Sequence, residues 1–137
     1  MYLTVLPVLF SLFLSLWVTQ AQAELSVASY CELAIKKLEQ QAKQFRDLID
    51  LCVQYKNERN KLIQEESILK GRYDLARALL FSSYGTTADE YVSYRGKHSL
   101  EVERYLKTQT FVQHRIESLS NEVRSLFDKY ESLKGKE

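Results

Sequence analysis

Apolar residues recur every three or four positions from Ser26 to Leu80, with an average spacing of 3.5. A helix brings such positions onto one face, and this spacing is typical of a coiled coil. Thirteen of the 16 positions in the series are apolar, and the exceptions are Gln41, Arg59 and Glu66. The pattern predicts a first helical arm over residues 26–82.

A second series with the same spacing runs from Ala88 to Leu133. Eleven of its 14 positions are apolar, and the exceptions are Arg95, His98 and Gln109. A strand would alternate at every second position instead, so both series indicate helices. We expect an all-α protein with a second arm over residues 88–133.

Residues 83–87 are predicted to form the tip between the arms. Gly85 can adopt the positive φ that closes a helix. Thr87 and Glu90 have the spacing of a capping box, which begins the next helix. Because a short connection makes neighbouring helices antiparallel, we expect a long antiparallel helical hairpin, resembling a coiled coil, as one domain over residues 24–137.

A further turn inside the first arm is the alternative. Residues 54–61 contain a single apolar residue, Tyr55. A turn at Lys56-Asn57-Glu58 would give three shorter helices and a three-helix bundle. We favour the continuous arm, because the apolar register continues from Tyr55 to Leu62 and no Gly or Pro interrupts it.

The composition agrees with long helices in one domain. The 137 residues include four Gly and one Pro, so few positions favour a turn. Gly71 and Gly96 would lie near one another in the hairpin and mark a softer joint, a close helix approach or merely tolerated glycines. The formal net charge is +1, from 19 basic and 18 acidic residues. Without a basic excess, we expect neither nucleic acid nor anionic lipid as a partner.

The first 23 residues have the features of a cleaved signal peptide. Residues 3–18 carry no charge, and Ala21-Gln22-Ala23 fits the small-x-small pattern of signal peptidase. A run of 16 residues is short for a bilayer core about 30 Å thick. We expect cleavage near Ala23 and a periplasmic or secreted protein. No Lys or Arg precedes the run, as one usually does in a signal peptide. Two alternatives therefore stay open: a misassigned start codon, and an uncleaved segment that anchors the protein and is its only contact with the membrane.

The hairpin is expected to need a partner, because two paired helices bury too little apolar surface to offset chain ordering comfortably. Further apolar residues widen the stripe to the width used in bundles. They are Ile35, Ile49, Leu51, Val53, Ile63, Ile68, Val92, Leu106, Phe111 and Phe127. We expect an oligomeric bundle of the chain with itself, docking onto another helical protein, or both.

Cys31 and Cys52 are the two cysteines and lie 21 residues apart. In one straight helix they would be about 31 Å apart, beyond the reach of a disulfide. The secretory compartment is oxidising. The two residues are therefore either buried thiols or a possible disulfide, formed between chains or, if the first arm turns, within one chain.

Two sets of side chains are candidate interaction residues. Phe81, Tyr84 and Tyr94 cluster around the tip, where they would form a partner-binding surface or else cover the turn itself. The other set would form either a polar layer that fixes the register of the helices or a solvated weak point. Its members are Arg59, Glu66, Arg95, His98 and Gln109.

No residue pattern for catalysis is found in the sequence. His98 and His114 are the two histidines, and no motif places an acid beside either of them. The spacings of a metal site and the Gly-rich loop of a phosphate site are also missing from the sequence. We therefore expect no enzymatic activity, no metal, no cofactor and no small-molecule substrate.

The expected function is that of an exported, non-enzymatic coiled-coil scaffold in an envelope or secretion assembly. A periplasmic holdase-type chaperone is the alternative. In its heptads and hairpin size the chain also resembles the FliJ/YscO-type hairpins of type III export. That resemblance implies a cytoplasmic export stalk, and it requires that the N-terminal segment is not a signal.

Overall fold

The structure is a computed structural model that describes residues 24–135. The predicted signal peptide over residues 1–23 and its cleavage near Ala23 lie outside the described residues. Within the described part the chain forms five helices and no strand, so the all-α prediction is confirmed. The helices are α1 (Val27–Gln54), α2 (Arg59–Ser83), α3 (Ala88–Lys97), α4 (Ser99–Thr108) and α5 (Thr110–Lys134).

The first arm is not the continuous helix expected over residues 26–82, because the chain reverses at residues 55–58. Tyr55 and Glu58 leave helical geometry, with φ and ψ of −108° and 30° and of −126° and 67°, and the Glu58 N–H donates to the Tyr55 carbonyl at 3.0 Å. A straight helix here would gain little from burial, since residues 54–61 carry one apolar side chain. We call residues 55–58 the hinge.

Beyond the hinge, α2 returns antiparallel along α1. The Tyr73 hydroxyl donates to the Asp47 carboxylate at 2.5 Å, and the Arg77 guanidinium donates to the Gln44 side chain at 3.0 Å. As the residue number rises along α2, that of its partner on α1 falls. The turn at residues 56–58 that the sequence left as the alternative is therefore present, although the described part has five helices instead of three.

The predicted second arm is divided into α3, α4 and α5. The chain bends at His98, and along α3 the contacts move toward the start of α1, from Lys37 at Tyr91 to Glu24 at His98. The helical geometry of this arm is interrupted at His98 and at Gln109, where ψ is 28° and 70°. Arg115 pairs with Glu39, and Arg46 pairs with Glu122. Each pair spans 76 residues, so α5 runs parallel to α1. The helix α5 is thus antiparallel to α2, and the three long helices α1, α2 and α5 run up, down and up.

The turn between α2 and α3 uses Gly85, whose φ is 68°. Thr87 begins α3, and its hydroxyl accepts from the Glu90 N–H at 3.3 Å. The Glu90 carboxylate accepts from the buried Thr86 hydroxyl at 3.0 Å. Only half of the predicted capping box therefore forms, because Glu90 binds the residue before the cap.

The core consists of two clusters at opposite ends of α1, which lies centrally and contacts α2, α4 and α5. We call the first the N-terminal cluster, and its buried members are Tyr30, Cys31, Leu33, Phe81, Tyr91, Tyr94 and Val102. We call the second the hinge-end cluster, and its buried members are Leu48, Ile49, Cys52, Leu62 and Tyr130. Because α1 contributes to both clusters, it joins the two ends of the bundle.

Candidate interaction surface

The aromatic residues near the tip belong to the core instead of forming an exposed surface. Phe81 is 5% exposed and Tyr94 is 6% exposed. Tyr84 is half-buried, and the Lys36 ammonium lies over its ring at 5.1 Å from the centroid. The expected partner-binding tip is therefore not found, because the end of the bundle packs these rings against α1. These rings instead agree with the alternative, in which they cover the turn of their own chain.

Five aromatic rings contact one another in a row across the N-terminal cluster, and sequence reasoning missed this arrangement. Tyr30 lies between Tyr94 and Tyr91, with ring centroids 4.6 and 5.1 Å away. Phe81 extends the row beyond Tyr91, and His98 extends it beyond Tyr94. Burial, and then the neighbouring Tyr30, raise the pKa of Tyr91. The row serves as core packing.

The five residues expected to form a polar layer are dispersed along the bundle. Arg59 and Glu66 lie on α2 toward the hinge, whereas Arg95 and His98 lie at the N-terminal end. Gln109 is exposed between α4 and α5. The prediction of a polar layer depended on α1 and α2 forming one continuous helix. Because the chain reverses at the hinge, these residues do not come together. Arg59, His98 and Gln109 instead stand at helix boundaries.

Glu66 bridges three helices, although it does so without the other four residues. Its carboxylate accepts from the Tyr130 hydroxyl at 3.0 Å and from the Cys52 thiol at 3.8 Å. These contacts join α2 to α5 and to α1 in the hinge-end cluster. His98 has a comparable position at the other end, where its two ring nitrogens lie 3.4 Å from the carboxylates of Glu24 and Glu101.

The cysteines are too far apart for the intrachain disulfide that a turn in the first arm would have allowed. Both lie on α1, and the hinge follows Cys52 instead of separating it from Cys31. Cys31 is 1% exposed. Burial raises the pKa of its thiol, which disfavours the nucleophilic thiolate. A bridge between two chains would require α1 to leave the core at Cys31, and it stays a prediction.

The interface between α1 and α2 is polar over its middle. Besides the contacts of Tyr73 and Arg77, the Gln40 amide donates to the Ala76 carbonyl at 3.5 Å. Gln40 Oε1 and Arg77 Nε are buried without a hydrogen-bond partner among the described residues. Unpaired buried polar atoms cost free energy. The interface between α1 and α2 is therefore less stabilising than the length of the two paired helices would suggest.

The outer face of α2 carries an exposed apolar stripe. Ile68, Leu75 and Leu79 are 46%, 63% and 63% exposed. They are seven and four residues apart, so they lie on one side of the helix. We call these three residues the α2 stripe. Such a stripe on a rigid helix has the spacing that another helix can pack against.

Gly71 lies on the same side of α2, between Ile68 and Leu75. An added Cβ at Gly71 would meet no atom of another part of the chain within 4 Å. A glycine in a helix interior costs about 1 kcal/mol relative to alanine, and no packing within the described residues requires it. The predicted close approach of Gly71 to Gly96 is not the reason, because Gly96 is also open.

The α2 stripe was missed because its residues lie outside the main apolar series. The series uses Leu69, Tyr73, Ala76 and Leu80, which are half-buried toward α1. The separation of Ile68, Leu75 and Leu79 by seven and four residues is itself helical. A search for a second series of apolar residues at helical spacing in the same segment would have found the α2 stripe.

No protein-family model matches the chain, and no similar curated protein or solved structure was found. Among residues 24–135, no helix combines the length and the apolar content that crossing a membrane requires. No three His, Cys, Asp or Glu side chains of this part gather as they would around a metal ion. The function is therefore argued from the residues themselves.

Proposed function

We propose that this chain is an exported, non-enzymatic interaction protein that acts through helix–helix association in an envelope or secretion assembly. The observation that carries the proposal is the α2 stripe with Gly71 inside it. The helices of the bundle bury their inner faces within one chain. A partner is therefore expected at this outer face, and a narrow core no longer requires one.

The proposed occupant of the stripe is an amphipathic helix of another exported protein. Apolar residues at helical spacing offer ridges to a second helix. A glycine between them allows the two backbones to approach more closely than larger side chains would. The absence of a packing role for Gly71 inside the chain supports this use.

The test is a cross-linked pull-down of the exported chain from its native envelope, repeated with substitutions. Leu75→Ser with Leu79→Ser should abolish capture of the partner. The matched control is Val92→Ser with Leu100→Ser, because these residues are 72% and 66% exposed on other helices. The proposal is wrong if both double variants capture the same proteins as the unmodified chain, or if neither captures anything the unmodified chain did.

A holdase-type chaperone is the second candidate, and exposed apolar residues away from the stripe favour it. Phe111 is 80% exposed and Val92 is 72% exposed. Scattered apolar side chains suit transient contact with unfolded clients more than one specific partner. A holdase would suppress aggregation of a denatured client, and Phe111→Ser would weaken that suppression while leaving the pull-down unchanged.

The proposal places the chain outside the cytoplasm, and the export-stalk alternative places it inside. Cell fractionation separates the two. Recovery of the chain in the cytoplasm, with residues 1–23 still attached, would favour the stalk and contradict the proposed export.

A further inference from the structure

The hinge contains no residue that enforces a reversal of the chain. It has neither Gly nor Pro, and its residues have negative φ, since Gly85 is the one position with positive φ in the described part. Reversals usually depend on residues that cannot continue a helix. All four hinge residues, Tyr55, Lys56, Asn57 and Glu58, can continue one.

The helix ends that meet at the hinge are poorly capped. Glu58 makes no side-chain bond to the start of α2, and the first turn of α2 has no acidic residue. The last turn of α1 has no basic residue. By contrast, Ser26 caps α1 and Thr87 caps α3. The other uncapped starts are at His98 and Gln109, where a single residue separates two helices.

A continuous helix through the hinge would satisfy the backbone groups that these ends leave open. The apolar register supports such a helix, because Cys52, Tyr55 and Leu62 stay on one face across residues 55–58. Residues 27–83 would then form one helix about 85 Å long. This change would break two contacts at the hinge. One is that of the Lys61 ammonium with the Tyr55 ring, 5.1 Å from its centroid, and the other is the hydrogen bond from the Glu58 N–H to the Tyr55 carbonyl, which the α-helical bonds would replace.

We propose that two copies of the chain exchange α1 by straightening the hinge and form a domain-swapped dimer. Each half of the dimer would consist of α1 from one copy and α2–α5 from the other. Every contact of α1 with α2, α4 and α5 would form again between chains, so the core would be kept. The free-energy difference between the two states arises mainly at the hinge and from association.

Exposed apolar residues beside the hinge identify a second copy as the occupant. Val53 is 66% exposed and Ile63 is 56% exposed. In a continuous helix they would lie five residues on either side of Glu58, within about 80° of one another around the axis. Two such helices crossing at the hinge about a twofold axis would bring Val53 of one copy near Ile63 of the other, which buries both.

The exchange deepens the proposed function, because it names a second copy as one helical partner. It uses the hinge and leaves the α2 stripe free, so the two ideas can fail separately. Loss of partner capture by the stripe variants concerns the proposed function. Loss of chain exchange by a hinge variant concerns the dimer.

Two substitutions at one exposed position test the exchange. Asn57→Ala favours a continuous helix, whereas Asn57→Gly disfavours it, and both tolerate the turn of the closed monomer. The glycine penalty acts once in each chain, so the dimer dissociation constant should be roughly 10- to 30-fold lower for Asn57→Ala than for Asn57→Gly. Sedimentation velocity of chains refolded at high concentration measures this ratio.

Cross-linking then distinguishes exchange from simple side-by-side contact. Asp47→Cys and Tyr73→Cys mark the two sides of the interface between α1 and α2, in a background with Cys31→Ala and Cys52→Ala. A short bis-maleimide should join the markers between chains in the dimer and within a chain in the monomer. The sedimentation comparison needs no cysteine change, so it decides the matter if the cross-linking variants fail to fold.

The proposal is supported by covalent dimers that are abundant for Asn57→Ala and scarce for Asn57→Gly. It is overturned if the two variants have equal dissociation constants. It is also overturned if Asn57→Ala stays monomeric at every concentration, or if its dimers contain only cross-links within a chain.

Discussion

At the residue scale, two glycines show how backbone conformation and packing make different demands. Gly85 has a φ of 68°, which side chains other than glycine rarely adopt. Gly71 lies inside α2 with open space where a Cβ would be. The first glycine is required by the fold, and the second is not.

Gly71→Ala should raise the free energy of unfolding by about 0.5–1 kcal/mol, because alanine restricts the unfolded chain and favours the helix. Gly85→Ala, the matched control, should lower it by about 1 kcal/mol, since alanine is strained at positive φ. Urea unfolding measures both. A destabilising Gly71→Ala would mean that a contact within the chain needs this glycine.

Tyr73 should make the bundle sensitive to alkaline pH. Burial and the hydrogen bond to Asp47 raise its pKa to about 12, from 10.0. The neutral hydroxyl is thus favoured by folding, so its contribution is complete below pH 10 and is lost as pH rises toward 12. In Tyr73→Phe the decline of unfolding free energy across this range should be smaller. An identical decline in both proteins would assign it to other groups.

At the element scale, the bundle caps helices at two places and leaves other ends open. At the start of α1 the Ser26 hydroxyl accepts from the Ser29 N–H at 3.1 Å. At the start of α3 the Thr87 hydroxyl accepts from the Glu90 N–H. Where the chain reverses at the hinge, no side chain caps α2. The turn at the hinge is therefore less well capped than the turn at Gly85.

Thr87→Ala should lower the free energy of unfolding by about 1 kcal/mol, because it removes the acceptor of the Glu90 N–H. Thr108→Ala is the control, since the Thr108 hydroxyl donates to the Tyr105 carbonyl at the end of α4 and caps no helix start. Its effect should stay within about 0.5 kcal/mol. Equal effects of the two substitutions would show that the cap at Thr87 contributes nothing specific.

At the scale of the whole molecule, α1 makes the bundle one cooperative unit. It supplies Leu33 to the N-terminal cluster and Leu48 to the hinge-end cluster. The rods α2 and α5 each pack mainly on α1 and hardly on one another. Loosening α1 at one end should therefore be felt at the other.

Leu33→Ala should cost about 2–5 kcal/mol, because Leu33 is fully buried and its removal leaves a cavity. Hydrogen exchange should then accelerate throughout α5, including the part around Tyr130 in the hinge-end cluster. Leu100→Ala, at an exposed position, should change neither quantity appreciably. Faster exchange confined to the N-terminal cluster would show that the two ends unfold independently.

Much of the local structure was predictable because helices follow local rules. The period of apolar residues indicated helices over most of residues 26–133, and Gly85 marked a turn through its own conformational freedom. The polar residues that interrupt the apolar series were also informative, although they were interpreted as a polar layer. Arg59, His98 and Gln109 stand where helices begin or are interrupted.

The candidate surface was less predictable, because exposure depends on which faces pair. Phe81 and Tyr94 are close to the tip in sequence, yet α1 covers them. Leu75 and Leu79 are as apolar as the core residues, yet no element among residues 24–135 covers them. The periodicity of one helix shows that it has an apolar face but not which neighbour buries it.

By itself the sequence determined that this protein is helical, that a turn lies at Gly85, and that catalysis is not expected. Only the tertiary structure decided whether the chain also reverses at residues 55–58. The physical reason is that a continuous and a folded first arm differ locally by a few backbone dihedrals, while the register of apolar residues suits both. Burial of α2 and α5 against α1, which is a long-range term, selects the folded form.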